Sequence, residues 1–124
     1  MIFKIKTSKK TMDIFLEIGN SINLPPYILA KLSISASLRE KNKLCENDFN
    51  TDNAGLELNR YTITGEYDLL YKLLIEEYEN KIISETDYMT KYLKSHLDRG
   101  ARLIYSEFKY GGDFLLNLLE QKSL

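Results

Sequence analysis

Chemistry at a protein site usually calls for a nucleophile, a base, a metal-binding set or a cluster of charge. The sequence is poor in the first three. His96 is the only histidine and Cys45 the only cysteine. One of each cannot assemble a zinc site of the usual Cys/His type within one chain. His96 falls between Leu93 and Leu97, toward an apolar stripe, and reads as a packed, hydrogen-bonded histidine. A Ser-His-acid arrangement has no supporting motif. Cys45 lies close to Lys43, whose charge could favour a thiolate, but in so polar a segment it reads first as an ordinary exposed thiol. Glu76, Glu77, Glu79, Glu85 and Asp87 would serve a metal-dependent nuclease only by converging on one or two cations. Acidic helix ends explain these residues well enough and are the preferred reading. Gly111-Gly112 lacks the Lys-Ser/Thr that a phosphate-binding P-loop requires. No catalytic residue, metal site or cofactor is predicted.

Charge offers more. The chain carries a net charge of −1, low for a nucleic-acid binder. Residues 1–45, however, hold eight basic residues (Lys4, Lys6, Lys9, Lys10, Lys31, Arg39, Lys41, Lys43) against three acidic ones, a local net of +5. Potential is set locally, because screening in physiological salt acts over about 8–10 Å. Two readings stand: a solvated lysine-rich face, or a surface that docks a polyanion. Lys9-Lys10 and the segment Arg39-Glu40-Lys41-Asn42-Lys43 could neutralise backbone phosphates without reading bases. The nine tyrosines could stack on unpaired bases. At helical spacing among leucines they read rather as core or oligomer contacts.

The elements that must position these residues are mostly helical. Residues 2–6 alternate weakly, as in a short strand with Lys4 and Lys6 outward. Thr7 or Ser8 can cap a first helix with Met12, Phe15 and Leu16 on its apolar stripe and an exit at Gly19-Asn20. Pro25-Pro26 suits the first turn of a second helix reaching about Arg39, with Ile28, Leu29, Leu32 and Ala36 inward. Residues 40–60 lack helical period and read as a long loop of functional or mobile character. A third helix opens near Thr64-Gly65-Glu66, with Tyr67, Leu70, Tyr71, Leu74 and Tyr78 on one face. Ser84 and Asp87 form a capping pair for a fourth, whose stripe of Met89, Leu93, Leu97 and Leu103 or Ile104 is bent or broken at Gly100. A last short helix carries Phe114, Leu115, Leu118 and Leu119. The expectation is one all-α domain over residues 1–124, with four to five helices and room for a short N-terminal strand. No apolar run approaches the roughly 18 residues of a membrane span. The start lacks the long apolar core of a signal peptide. A cytoplasmic protein without a membrane partner is expected.

The order strand, helix, turn, helix over residues 2–39 looks like a ribbon-helix-helix start, in which paired strands enter the DNA major groove. Pro25 and Pro26 remove two backbone donors from the helix end where a phosphate would dock in such a fold.

Two stretches together carry a more specific resemblance. Asn-Leu-Pro-Pro-Tyr-Ile-Leu-Ala-Lys-Leu-Ser-Ile-Ser-Ala-Ser-Leu-Arg at 23–39 resembles the second-helix segment of the DndE family. Gly-Leu-Glu-Leu-Asn-Arg-Tyr-Thr-Ile-Thr-Gly-Glu-Tyr-Asp-Leu-Leu-Tyr at 55–71 resembles the same family's Gly-x-Glu-Phe/Leu-Asn-Arg segment, followed by Gly-Glu and a helix. Order and size match over approximately residues 5–119. DndE is the small component of bacterial DNA phosphorothioation, in which sulfur replaces a non-bridging phosphate oxygen. The resemblance implies a cytoplasmic helical homo-oligomer, a tetramer, that binds double-stranded DNA, favours nicks and works beside a cysteine desulfurase, a sulfur-transfer protein and an ATPase. It supplies no catalytic residue. Lys31 stands where family members more often carry arginine, giving a point charge in place of a bidentate fork. The expected phosphate contacts are Lys6, Lys9, Lys10, Lys31, Arg39, Lys41, Lys43 and Arg60, with Arg60 alternatively pinning the loop to an acidic helix. The other functions in view are an adaptor that assembles the modification enzymes, a ribbon-helix-helix regulator and a nicking enzyme.

Overall fold

The computed structural model describes residues 2–110. The last predicted helix, with Phe114, Leu115, Leu118 and Leu119, lies outside these residues. A strand β1 (Lys4–Lys6) leads into helices α1 (Lys9–Ile22) and α2 (Pro26–Leu38). A short α3 (Glu46–Phe49), a strand β2 (Glu57–Asn59) and a one-turn α4 (Arg60–Ile63) follow. Then come α5 (Asp68–Glu79), α6 (Glu85–Asp87), a π-helical turn (Tyr88–Tyr92) and α7 (Leu93–Tyr110). The fold is mostly helical, as expected, and the expected N-terminal strand belongs to a small two-stranded antiparallel sheet. β1 pairs within the chain, Lys4 opposite Asn59 and Lys6 opposite Glu57, with a strand hidden in the polar stretch 40–60.

Local chemistry explains the element boundaries. The Ser8 hydroxyl accepts from the Thr11 N–H and caps α1. Pro26 occupies the first turn of α2, where its missing N–H leaves nothing unpaired. Ser84 accepts from the Asp87 N–H, which makes the predicted capping pair real. α1 does not exit at Gly19. It runs on to Ile22 and leaves through Asn23 in the left-handed region, at φ 57°, a conformation that asparagine tolerates better than most residues. Gly19 serves close approach instead, since a Cβ there would lie 2.9 Å from the Leu24 carbonyl oxygen.

The core lies where α1 and α2 pack on α7. Ile14, Phe15 and Ile18 meet Leu29, Ala30 and Ile34 and, from the long helix, Leu93, Leu97, Ala101 and Ile104. Each large aliphatic side chain among them contributes about 1.5–3 kcal/mol on burial. Leu16, expected inward, is half exposed, and Thr11, Ile14 and Ile18 fill the inner face of α1 instead. On α5 the buried residues are Ile75 and Glu79, while Leu69, Leu70, Leu73 and Leu74, and Tyr67 just before the helix, are exposed. The predicted stripe is therefore rotated: a helix with leucines on most of its circumference does not say by period alone which of them face inward.

Gly100 does not end its helix. α7 continues through it, and α2 approaches so closely that a Cβ at Gly100 would sit 1.6 Å from the Ser33 carbonyl oxygen. The small residues Ala30, Ser33 and Ser37 on the facing side of α2 make the same approach possible. Ordinary helix propensity favours alanine over glycine by about 1 kcal/mol. Here Gly100→Ala is expected to destabilise the fold by about 2–3 kcal/mol in urea unfolding, because overpacking must separate two helices. A variant as stable as the parent, or more so, would contradict the contact.

Candidate nucleic-acid interface

Of the eight basic residues proposed from the sequence, Lys6, Lys9, Lys10, Arg39, Lys41 and Lys43 are exposed, Lys31 is half-buried and Arg60 is buried. They fall into separate groups. Lys6 ends β1, and Lys9 and Lys10 open α1 directly behind the Ser8 cap. Arg39, Lys41 and Lys43 sit on the segment after α2. Lys31 lies over the Tyr27 ring at 5.6 Å and lines an apolar groove with Leu38, Leu70 and Leu74, away from both lysine segments in sequence.

The α1 start offers ammonium groups more than backbone donors. The Ser8 N–H is bonded to Asp98, the Lys9 N–H to Asp52 at 2.8 Å and the Thr11 N–H to Ser8. An anion arriving there would meet the side chains of Lys9 and Lys10, not a free ring of helix N–H groups. Lys9 also holds Asp13 at 2.8 Å, an exposed pair worth less than about 1 kcal/mol. It can be exchanged for a phosphate at little cost.

What fixes this end is a buried carboxylate. Asp98 is fully buried in α7 and accepts from the Ser8 N–H (3.1 Å), the Thr11 hydroxyl (2.7 Å), the Thr51 hydroxyl (2.8 Å) and the Lys94 ammonium (2.7 Å). Lys94 in turn donates to Thr51 at 2.6 Å. Thus α1, the loop around Thr51 and α7 share one acceptor.

The second segment is held from the next turn of the same helix. Arg99 donates to the Ser37 carbonyl and hydroxyl, to the Asn42 carbonyl and to the Tyr78 hydroxyl. Tyr78 donates to backbone carbonyls of Glu40 and Asn42. The stretch read as a loose loop is therefore pinned at its backbone, and its lysine side chains are left outward. Arg102 extends the clamp to Asp48 at 3.2 Å, at the α3 turn.

His96 is packed as expected, with its Nδ1 2.8 Å from the Ser37 hydroxyl and its Nε2 3.1 Å from Glu79. This has the connectivity of a Ser-His-acid triad, but Ser37 and His96 have no solvent exposure and Glu79 almost none. No substrate reaches it. Burial first, and then the charge of Arg99, push the histidine down to about 3. Burial likewise raises Glu79 against the pull of the Leu44 N–H and nearby cations. The imidazole is neutral at pH 7 and serves as a bridge between α2, α5 and α7. Among the described residues no three His, Cys, Asp or Glu side chains converge as a metal-binding set.

Arg60 takes the alternative role. It is 8% exposed and its guanidinium donates to Asp68, to Glu85 and to the Ile2 carbonyl, which uses all five of its N–H groups. Its face lies against the Tyr88 ring at 5.5 Å. Burial pushes Asp68 upward, but hydrogen bonds from Arg60 and Thr64 outweigh it and hold the carboxyl below its usual range. Hydrogen bonding to Arg60 does the same for Glu85. No donor remains for a phosphate. Sequence reasoning missed Asp98, Lys94 and Arg99, whose charged types pointed to solvent; the i, i+4 spacing of Lys94 and Asp98 was the available signal.

Comparison with known proteins places this geometry. The family model for DNA sulphur modification protein DndE matches residues 4–111. None of the curated proteins matches the chain. The crystal structure of DndE from Escherichia coli B7A, described as involved in DNA phosphorothioation modification, is similar with a TM-score of 0.68 and 18% identity, covering 84% of this chain and 97% of that one. The crystal structure of a DndE G21/24K mutant, described as involved in DNA phosphorothioation, has a TM-score of 0.65 at 17% identity and covers 83% and 97%. At these identities the structures speak for the fold, and the family model speaks for the family.

Two expectations follow from the buried groups. Arg60→Gln is expected to lower the unfolding free energy by about 2 kcal/mol, since it removes the charge-assisted hydrogen bonds to Asp68 and Glu85, both still partly open to water, whereas Lys10→Gln changes it by less than about 0.5 kcal/mol; urea titration checks both. His96, depressed in the fold, binds a proton below pH 6.5 only when unfolded. Stability is therefore present above 6.5 and lost as pH falls toward 3. The loss between pH 7.5 and 5 is about 2 kcal/mol. A His96→Gln variant should show a flatter dependence over that window, whatever its absolute stability.

Proposed function

The chain belongs to the DndE family, and on that premise we propose that it is a non-catalytic, DNA-binding subunit of a DNA phosphorothioate (sulfur) modification complex. It contacts backbone phosphates of double-stranded DNA, preferably at nicks, through Lys6, Lys9, Lys10, Lys41 and Lys43, with Arg39 beside them and Lys31 at the apolar groove. Arg60 is a scaffold residue. The observation that carries the reading is the sorting of charge. The buried cations Arg60 and Lys94 are paired with carboxylates, whereas the lysines of both pinned segments stay exposed.

A rigid backbone with outward ammonium groups suits recognition of shape and phosphate rather than of sequence. A nick is a flexible, unstacked step, so bending there costs less than in intact duplex. One copy presents a modest positive charge. A homo-oligomer, a tetramer on this reading, repeats it and raises affinity through simultaneous engagement. The protein then works in the cytoplasm beside the other phosphorothioation proteins, as part of a modification system linked to restriction.

A second reading has its own support. The exposed Leu69, Leu70, Leu73 and Leu74 on α5, with the groove of about 400 Å³ between α2 and α5, suit an adaptor that assembles the modification enzymes with little DNA contact. A ribbon-helix-helix regulator has less support, because the intrachain pairing of β1 with β2 takes up a strand edge.

Gel-shift titrations on intact, nicked and single-stranded DNA across salt separate these readings. Replacing Lys9, Lys10, Lys41 and Lys43 together with glutamine should reduce the slope of log affinity against log salt by about 3–4, at roughly 0.9 per lost phosphate contact. Binding that ignores salt, or survives the fourfold replacement, contradicts phosphate contact. A protein that captures its partners but shifts no DNA at low salt favours the adaptor.

A further inference from the structure

The lysines at β1 border a cleft that the exposed charges alone do not reveal. It encloses about 260 Å³ between β1, the Asn53 loop and the π-helical turn. Ile5 and Met89, both buried, form its apolar part. Its polar lining comes from Lys4, Lys6, Asn53, Thr90 and Lys94. Thr90 commits its hydroxyl proton to the Thr86 carbonyl and shapes a wall. Lys4 holds Glu57 only at 3.6 Å, in an exposed pair.

Lys94 is the informative member. An ammonium has three donors. Two go to Asp98 and Thr51, both within 2.7 Å, and they fix the group in place with a side chain only 9% exposed. Neither of these takes the third donor, and Lys94 lines a cleft whose other donors are the Lys6 ammonium and the Asn53 amide. Cationic and neutral donors around a small concavity, with no carboxylate in the lining, form a receptor for an oxyanion. The paired acids Glu57 and Asp98 leave a net of one positive charge, which suits a phosphate group and not a polyanionic cluster.

We propose that this cleft binds a phosphate group of DNA, with Lys6, Lys94 and the Asn53 side-chain amide as its donors. The inference rests on the DNA-binding reading and deepens it. It converts Lys6 from a diffuse electrostatic contact into one donor of a built site, and it adds two contacts from outside the basic first third. The same oxyanion chemistry is found in an internal phosphodiester and in the terminal phosphate at a nick.

The test uses the full chain and two variants, Asn53→Asp, which places a carboxylate in the lining, and Lys6→Ala/Asn53→Ala. Asn53 and Lys6 are exposed, and unfolding midpoints verify that the variants fold. Inorganic phosphate titrated into isotope-labelled protein at constant ionic strength should shift the amide signals of Lys6, Asn53 and Lys94, and Asn53→Asp should abolish those shifts. Affinity is then measured for intact duplex and for nicked duplex with or without a phosphate at the nick. A tenfold or greater weakening in Asn53→Asp for all three identifies an internal phosphodiester. Weakening confined to the phosphorylated nick identifies a terminal phosphate. Parental affinity of both variants for all three DNAs, or phosphate shifts that avoid the cleft, overturns the inference. If the parent binds none of the duplexes, the DNA-binding reading falls, while the phosphate titration still decides the cleft.

Discussion

A carboxylate buried without donors costs several kcal/mol, and Asp98 is buried completely. Much of the architecture around α7 follows from satisfying it. Its donors come from the start of α1, from Thr51 and from Lys94 one turn earlier on α7. Each donor is itself tied down: Ser8 caps α1, Thr51 also accepts from Lys94, and Lys94 is enclosed. The group is satisfied only when the helix start, the loop and the long helix come together. That requirement gives directional specificity to a core whose aliphatic packing would tolerate other arrangements.

The polar interior of α7 continues along consecutive turns. His96 bridges to Ser37 and Glu79, Arg99 clamps the segment after α2, Gly100 admits the α2 backbone, and Arg102 reaches Asp48. α7 is therefore both the centre of the hydrophobic core and the element that fixes the two lysine-bearing segments relative to one another. Function and stability are coupled here by geometry. Most of the residues proposed to meet DNA are exposed lysines, whereas those that aim them are buried in the polar network of α7, and Lys94 belongs to both sets. A surface of exposed lysines on mobile segments would lose conformational entropy on binding; pinning the backbone beforehand reduces that loss.

The sequence made some of this legible and hid the rest for physical reasons. Ser8, Pro26 and the Ser84–Asp87 pair mark helix starts because capping is a local interaction, complete within four residues. The strand at 4–6 was readable from its alternation, but its partner at 57–59 was not, since pairing across more than fifty residues leaves no local trace. Leu93, Leu97 and Ile104 declared the inner face of α7. Lys94 and Asp98, next to them in the same helix, carry no local mark of burial, because burial of a charged residue depends on donors from distant segments. His96 read correctly as packed, yet its partners lie 17 and 59 residues away. Gly100 showed the common ambiguity of a helical glycine, helix breaker or contact point, which only the approach of α2 resolves. The lysines of the first third were visible as candidates. That Arg60 has no free donor, and that Lys94 lines a cleft beside Lys6, required the fold.

The buried Asp98 carboxylate holds the α1 start and the Thr51 loop in place, and with them the lysines proposed to meet DNA. Hydrogen–deuterium exchange on Asp98→Ala, alongside the parent, tests it most directly. The expected result is faster exchange confined to residues 6–12 and 50–56 under conditions where the amides of α2 and of the middle of α7 remain protected, together with weaker DNA binding by protein that is still folded. Unchanged protection of those two segments in a folded variant, or uniform loss across the chain, would contradict a local positioning role for Asp98.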